Sequence, residues 1–176
     1  MSAYRRTAQP GGTWFFTVNC ANRTTNACLI ENILHLRQAF KVVMSRHPFV
    51  LDAIVILPDH LHCLWTLPQG DTDYITRWRL IKSNFSRSIP QTELRNRTNV
   101  KRGERGIWQR RYWEHLIRNN EDYQRHVDYI HWNPVKHGHV QKVADWPWSS
   151  FRKFVAQGVY SPDWAYQKAF SGTFGE

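Results

Sequence analysis

Two histidines separated by one residue, His60 and His62, are the feature of this chain whose spacing most directly indicates chemistry. They follow an apolar run that ends at Pro58, and they begin a second apolar run. Because side chains alternate faces along a strand, both imidazoles should point the same way. Two imidazoles in that arrangement can bind one divalent metal. The spacing fits two half-exposed strand histidines equally well, so the rest of the chain must decide between these interpretations.

A tyrosine and an amide lie one helical turn apart further along the chain. Tyr129 and Asn133 are four residues apart in a segment with helical periodicity, so one helix face can present both. Tyrosine is a poor nucleophile at its ordinary pKa of about 10, and a metal that polarises a phosphate can assist its attack. Two imidazoles and an amide oxygen leave coordination positions for phosphate and water, which suits Mg²⁺ or Mn²⁺. A helix tyrosine taken alone is more typical of core packing.

A sheet and a helix are needed to bring these side chains together. Some segments are continuous apolar runs, which predict strands, and others have apolar residues at helical spacing, which predict helices. Two of the predicted strands are joined by Pro58-Asp59 and should form an antiparallel hairpin. Residues 95–105 are polar and basic and predict a mobile loop. The predicted strands are residues 14–18, 49–57, 60–67 and 107–118. The predicted helices are residues 31–46, a basic helix that begins after a cap at 71–73, a helix from Asn119 or Asn120 to Asn133, and residues 149–157.

The charge balance indicates a polyanionic partner. There are 24 Lys and Arg against 14 Asp and Glu, a formal net charge of +10. Aromatic residues are interleaved with the basic ones, which favours nucleic acid over a membrane surface because bases can stack on rings. Arg77, Arg79 and Lys82 fall mostly off the apolar stripe of their helix and can form a phosphate track or a solvated face. Lys136 can bind a phosphate near Tyr129 or can serve solubility alone.

The cysteine pattern, the absence of long apolar runs and the chain length indicate the cellular compartment and the number of domains. Cys20, Cys28 and Cys63 form no CxxC pair and leave an odd count, a reduced intracellular pattern. No signal-peptide pattern and no apolar run long enough to span a bilayer is found, so the expected location is cytoplasmic, without membrane association. The 176 residues predict one domain, residues 1–150, followed by an aromatic tail, residues 151–176, that docks on the domain or regulates it.

Several motifs taken together resemble one protein family. The triplet His60–His62 after Leu-Pro-Asp resembles the HUH motif (His, hydrophobic, His) of single-tyrosine HUH transposases. Four more stretches are similar to one branch of that superfamily, the REP-associated tyrosine transposases, which act on repetitive extragenic palindromes in bacteria. Those stretches are Gly12–Val18, Ile107–Gln109, Tyr112–His115 and Asp128–Gly138.

The resemblance implies an α+β fold with an antiparallel sheet flanked by helices, of the ferredoxin-like or RRM-like HUH endonuclease kind. It implies that Tyr129 attacks single-stranded DNA at a REP-type hairpin and leaves a 5′-phosphotyrosine link, with a metal held by His60, His62 and Asn133. Insertion-sequence relatives carry a glutamine where this chain has the shorter Asn133. By analogy, the protein is expected to be a monomer that contacts DNA through basic residues. The expected DNA contacts are Arg5 and Arg6 at the guide bases, and Arg77, Arg79, Lys82, Arg110 and Arg111 at the hairpin.

Three other functions stay open on the residues alone. A nucleic-acid-binding module could stack bases on Tyr112 or Trp113 without cleaving, although the RNP1 pattern of such modules is absent. A metal-dependent hydrolase would use water in place of Tyr129. A replication-initiator-like HUH nickase is a nearer alternative.

Overall fold

The fold combines an antiparallel sheet with helices on both of its faces, as the sequence predicts. The computed structural model describes residues 9–23, 27–93 and 95–164. The strands are β1 (Thr13–Asn19), β2 (Val50–Ile56), β3 (His60–Thr66) and β4 (Trp113–Leu116). The α-helices are α1 (Cys28–Glu31), α2 (Ile33–Arg46), α3 (Tyr74–Ser88), α4 (Arg97–Lys101), α5 (Asn120–Lys136) and α6 (Phe151–Ala156). A short 3₁₀ helix spans Val143–Asp145.

The predicted hairpin of β2 and β3 is confirmed and lies at one side of the sheet. The strand order is β2-β3-β1-β4, and each neighbouring pair is antiparallel. β3 lies between β2 and β1, so all of its residues except the last are buried. In the pairing of β1 with β3, Thr17 is opposite His62 and Asn19 is opposite His60. This register fixes which side of the sheet receives the two imidazoles.

Each face of the sheet has its own apolar core, because the strands are apolar on both sides. Leu61, Cys63 and Trp65 of β3 pack with helices α2 and α3. Leu64 lies on the other face, where Phe15, Val55, Val127, Ile130 and Phe151 form the second core with α5 and α6. His60 and His62 alternate with the first set, so they share the face that α5 covers.

Two of the long helices, one on each face of the sheet, begin at capping side chains, as the sequence predicts. Asp73 accepts a hydrogen bond from Thr76 N at the start of α3. Asn119 accepts one from Asp122 N at the start of α5. Each cap satisfies a backbone N–H that has no partner within its helix.

The predicted end of α5 at Asn133 is wrong, because the helix continues through Pro134 to Lys136. Proline lacks an N–H, so the only helical hydrogen bond that Pro134 itself removes is the one to the Ile130 carbonyl. Bonds from His137 N to Asn133 O and from His139 N to Pro134 O close the last turn. The extension places Lys136 on the same helix as Tyr129.

Two predictions for residues 95–118 also need correction. The strand expected at 107–118 is present only as β4, and Trp108 forms a single bridge with Cys20. The segment expected to be a mobile loop contains α4, and Arg105 after it forms an ion pair with Glu93. Residues 107–109 still pair with the end of β1, through Ala21 N to Ile107 O and Gln109 N to Asn19 O, so the predicted strand is interrupted only at 110–112, where two arginines are exposed.

The chain after Ser150 packs on α5. The predicted short helix is present as α6, and its buried Phe151 and Phe154 join the core that contains Ile130. Residues 165–176 of the predicted tail lie outside the described part of the chain. Within that part, no helix has the length and apolarity needed to cross a membrane.

Candidate catalytic site

The two histidines of β3 lie beside a tyrosine of α5. The ring centroids of His60 and His62 are 5.0 Å apart, and those of His62 and Tyr129 are 5.3 Å apart. His137, just after α5, lies 5.2 Å from His60 between ring centroids. Strand alternation puts the imidazoles on the face of the sheet that α5 covers, where α5 contacts β2 and β3. The structure therefore brings His60, His62 and Tyr129 together.

A neighbouring side chain orients each imidazole through its Nδ1 atom. His60 Nδ1 lies 2.7 Å from Asp59 Oδ1, and His62 Nδ1 lies 2.9 Å from Thr17 Oγ1. The Asp59 carboxylate accepts, so His60 Nδ1 donates and Nε2 is the nitrogen that can bind a cation. The same assignment holds for His62 in the tautomer whose Nδ1 donates to the Thr17 hydroxyl. Asp59 precedes His60 in the sequence, and Thr17 faces His62 across the sheet.

Burial lowers the pKa of His60, and the hydrogen bond and charge of Asp59 oppose only part of this effect. The imidazole is therefore neutral near pH 7, the form that coordinates a metal. Burial by itself would raise the pKa of Asp59, but hydrogen bonds from His60 and Arg23 outweigh it and hold that pKa below its ordinary value. Asp59 is thus an anion that polarises His60.

Tyr129 is buried and contacts a lysine two turns further along α5. Its side chain packs against Phe15 and His62, and the residue is 1% exposed. Lys136 Nζ donates a hydrogen bond of 3.2 Å to the Tyr129 hydroxyl and lies 5.0 Å from its ring centroid. Lys136 itself is exposed. An ammonium group in this position favours negative charge on the phenol oxygen.

Asn133 is fully buried one turn after Tyr129, on the part of α5 that faces the sheet. Its position is compatible with a role beside the two imidazoles, since residues four apart lie on one helix face.

The nitrogen and oxygen atoms that could act as ligands at this site fit a divalent metal. His60 Nε2 is buried and has no hydrogen-bond partner among the described residues. A buried polar atom of this kind normally has a partner, so a cation at this point would supply the missing interaction. His60, His62 and Asn133 would hold the ion, and neutral nitrogen with amide oxygen suits a divalent cation.

A basic groove of about 510 Å³ lies between α3 and residues 103–112. Arg79, Lys82 and Arg110, which the sequence assigns to DNA, line it, as do Arg87, Trp108 and Tyr112. Arg79 is exposed, and Arg110 is exposed beside Glu104 at 3.4 Å. Arg111 is also exposed but does not line the groove. Lys82 donates to the Gln109 carbonyl and lies 5.1 Å from the centroid of the Tyr112 ring.

Arg77 does not lie in this groove, which contradicts the prediction from its helical position. It is 3% exposed, and its guanidinium forms an ion pair of 2.7 Å with Asp71. It also donates to the carbonyl oxygens of His47, Pro48 and Asp73. The guanidinium thus ties the start of α3 to the α2–β2 connection, and a phosphate contact would break these bonds.

We expect Arg77→Ala to lower the free energy of unfolding by about 3 kcal/mol, because it removes a buried guanidinium together with its ion pair to Asp71 and its hydrogen bonds to three carbonyls. Urea denaturation measures the free energy of unfolding. Arg79→Ala is the matched control on the same helix and should stay within about 0.5 kcal/mol of wild type, since Arg79 is exposed. Equal effects of the two variants would contradict the structural role of Arg77.

Arg5 and Arg6, predicted to read guide bases, lie outside the described residues. The spacing of the histidines did not reveal their partners, Thr17 and Asp59. The position of Asp59, directly before His60 in the sequence, could have indicated that it is the partner of His60. Thr17 required the register of β1 with β3, which the sequence alone does not give.

The chain is similar over nearly its whole length to proteins that carry one family name. A REP-associated tyrosine transposase of Escherichia coli K12 is 49% identical over 165 residues, which cover 94% of this chain and 92% of that protein. A Haemophilus influenzae protein of the same family name is 46% identical over 166 residues, 93% of each chain. A solved REP-associated tyrosine transposase bound to a REP hairpin matches with a TM-score of 0.85 and 47% identity, over 100% of this chain and 98% of that one. No family model matches the chain.

Proposed function

Because the chain belongs to the REP-associated tyrosine transposases, an enzyme family of the HUH type, we propose that it nicks and rejoins single-stranded DNA at REP-type hairpins. Tyr129 is the nucleophile of this proposal, and a divalent metal, Mg²⁺ or Mn²⁺, is its cofactor. The observation that carries the proposal is the contact of Tyr129 with His62 on one side and with Lys136 on the other.

The proposed reaction exchanges one phosphodiester for another. The Tyr129 oxygen bonds to phosphorus and loses its proton to solvent, while the bond from phosphorus to the 3′ oxygen breaks. The 3′ oxygen takes up a proton and leaves as a free hydroxyl, and the downstream strand stays attached through a 5′-phosphotyrosine link. Attack by a 3′ hydroxyl on that link reverses the exchange and joins strands.

Each group of the chain has a separate part in this step. His60, His62 and Asn133 would hold the metal, which supplies charge to polarise the scissile phosphate. Lys136 orients the phenol oxygen and stabilises the charge that it acquires. Asp59 and Thr17 keep the imidazoles in place.

The groove is the proposed binding surface for the hairpin. Its exposed arginines can pair with backbone phosphates, and Trp108 and Tyr112 can stack on bases. Trp108 bridges Cys20, directly after β1, and Asn19 of β1 pairs with His60. One end of the groove and the histidine pair therefore share an end of the sheet, so a bound strand can run from one to the other.

We expect the double variant Arg79→Ala/Arg110→Ala to bind a REP-type hairpin more weakly. The slope of log affinity against log salt should become shallower by about 1 for each phosphate contact removed. Fluorescence anisotropy across a salt series measures both quantities. Arg46→Ala, which removes an exposed arginine at the end of α2, is the control and should leave the slope unchanged. An unchanged slope in the double variant would exclude the groove as the phosphate contact.

The proposed reaction is tested with 3′-labelled single-stranded DNA that carries a REP-type palindrome and its flanking bases from the same genome. After incubation with Mn²⁺ or Mg²⁺, a denaturing protein gel should show label that migrates with the protein and is absent when the metal is chelated. Cleavage without labelled protein would indicate attack by water. Tight binding without cleavage, with either metal and several palindromes, would indicate a DNA-binding module.

A further inference from the structure

We infer that a second cation site, separate from the one at His60 and His62, lies where β4 meets the first turns of α5. Its ligands are His115 of β4 with Asp122 and His126 of α5, and it takes a divalent transition ion of the zinc class. One ligand atom from each of these residues lies within 4.8 Å of the other two. The proposal does not depend on the nuclease activity, because none of these residues belongs to the proposed reaction.

The polar contacts of the cluster centre on Asp122. His115 Nε2 lies 2.9 Å from Asp122 Oδ2, and His126 Nδ1 lies 3.3 Å from Asp122 Oδ1. Oδ2 also accepts from Arg118 N and Nε, each at 3.1 Å, and His126 Nδ1 donates to the Asp122 carbonyl at 2.7 Å. Ion binding through His126 Nδ1 would replace the proton that makes this last bond.

Burial favours a ligand at this cluster. The side chains of Asp122 and His126 are each 4% exposed. Apart from the 3.3 Å ion-pair contact with His126 Nδ1, which does not form a hydrogen bond, Asp122 Oδ1 has no polar partner among the described residues. A buried carboxylate oxygen without a hydrogen bond is costly, so an ion at this point would stabilise it. The side chain of His115 is 24% exposed and gives the ion a route from solvent.

The donor set determines the class of ion. Two imidazoles and one carboxylate form the ligand group of three-ligand zinc and non-haem iron sites, which keep open positions for water. The Arg118 side chain, 67% exposed, can turn into solvent when a cation takes its place beside Asp122.

An ion at this cluster would join the edge strand to the helix that carries the nucleophile. His126 lies one turn before Tyr129, and the Phe15 ring contacts both, at 4.8 Å and 6.1 Å between centroids. Phe15 also separates the cluster from His62, to which its centroid distance is 5.6 Å. The site would therefore brace α5 without sharing ligands with the histidine pair.

Zinc titration of a His60→Ala/His62→Ala background tests the inference, because that background lacks the first pair of imidazoles. Isothermal calorimetry should find one equivalent of Zn²⁺ bound, and saturating Zn²⁺ should raise the melting temperature. Adding His115→Ala should weaken the Zn²⁺ affinity more than about 100-fold, since loss of an outer partner alone costs about 10–100-fold. His115 is the chosen ligand because it is partly exposed and its replacement leaves the capped start of α5 in place.

His35→Ala in the same background is the matched control, since His35 is an exposed histidine of α2, and it should bind Zn²⁺ unchanged. Absence of Zn²⁺ binding in the background variant would show that the three residues form only a hydrogen-bonded cluster and would overturn the proposal. Binding that survives His115→Ala would overturn the ligand assignment. Because the DNA reaction is not measured, failure here leaves the proposed function untouched.

Discussion

Replacing Tyr129 with phenylalanine is expected to abolish the covalent protein–DNA adduct and to leave hairpin binding within about twofold of wild type. The change removes only the hydroxyl oxygen, the atom that bonds to phosphorus in the proposed reaction. The ring remains to pack against Phe15 and His62, so the buried site keeps its shape. A denaturing gel with 3′-labelled DNA measures the adduct, and anisotropy measures binding.

Tyr123→Phe is the matched control, because it removes a tyrosine hydroxyl from the same helix at a half-buried position two turns before Tyr129. It should form adduct at the wild-type rate. Wild-type cleavage by Tyr129→Phe would mean that the nucleophile has been assigned wrongly. Loss of cleavage in both variants would indicate that the substitutions disturb α5, and the result would then say nothing for Tyr129 as the nucleophile.

Replacing Lys136 with methionine is expected to slow cleavage about 100-fold, a loss typical of removing one donor from a developing negative charge. Lys136 Nζ donates to the Tyr129 oxygen, and methionine keeps most of the aliphatic stem while it removes the ammonium. The loss should appear in the single-turnover rate at saturating DNA. Lys136→Arg should recover part of the rate, because it keeps a cation that can donate.

The division of the loss between rate and affinity decides the role of Lys136. The sequence predicted a contact from Lys136 to a DNA phosphate or a role in solubility alone. If Lys136 contacts a phosphate, its loss would weaken binding and leave the saturated rate unchanged. Lys41→Met, which removes an exposed lysine from α2 on the other side of the sheet, should alter neither quantity. If Lys136→Met binds DNA weakly but cleaves it at the wild-type rate when saturated, Lys136 contacts DNA and does not assist the Tyr129 oxygen.

The sequence predicted the elements whose signals are local. The β2–β3 hairpin follows from two apolar runs joined by Pro58-Asp59, and the caps Asp73 and Asn119 precede helices with regular apolar spacing. The fold class and the family were also predicted, because several motifs occur together in order, and the comparisons confirm both. The catalytic and metal roles of His60, His62, Asn133 and Tyr129 stay predictions.

The sequence analysis failed mainly where contacts between separate elements of the fold decide the outcome. Arg77 is buried because Asp71 and the carbonyls of the α2–β2 connection surround it, and helical position alone cannot reveal that. The cluster at His115 needs β4 and α5 side by side, although its members are only eleven residues apart at most. The end of α5 was misplaced because the tendency of proline to stop a helix is weak when few helical bonds remain to be lost.

The pairing of β1 with β3 has a consequence for how function is acquired during folding. Thr17 opposite His62 and Asn19 opposite His60 is one register among several that an antiparallel pair could form. A slip of one residue would move both imidazoles to the face of α2 and α3 and would bring Leu61 and Cys63 towards Tyr129. The proposed strand-transfer activity would therefore be an all-or-none reporter of correct strand alignment, and a population with mixed registers should show fewer active molecules, each with the full rate.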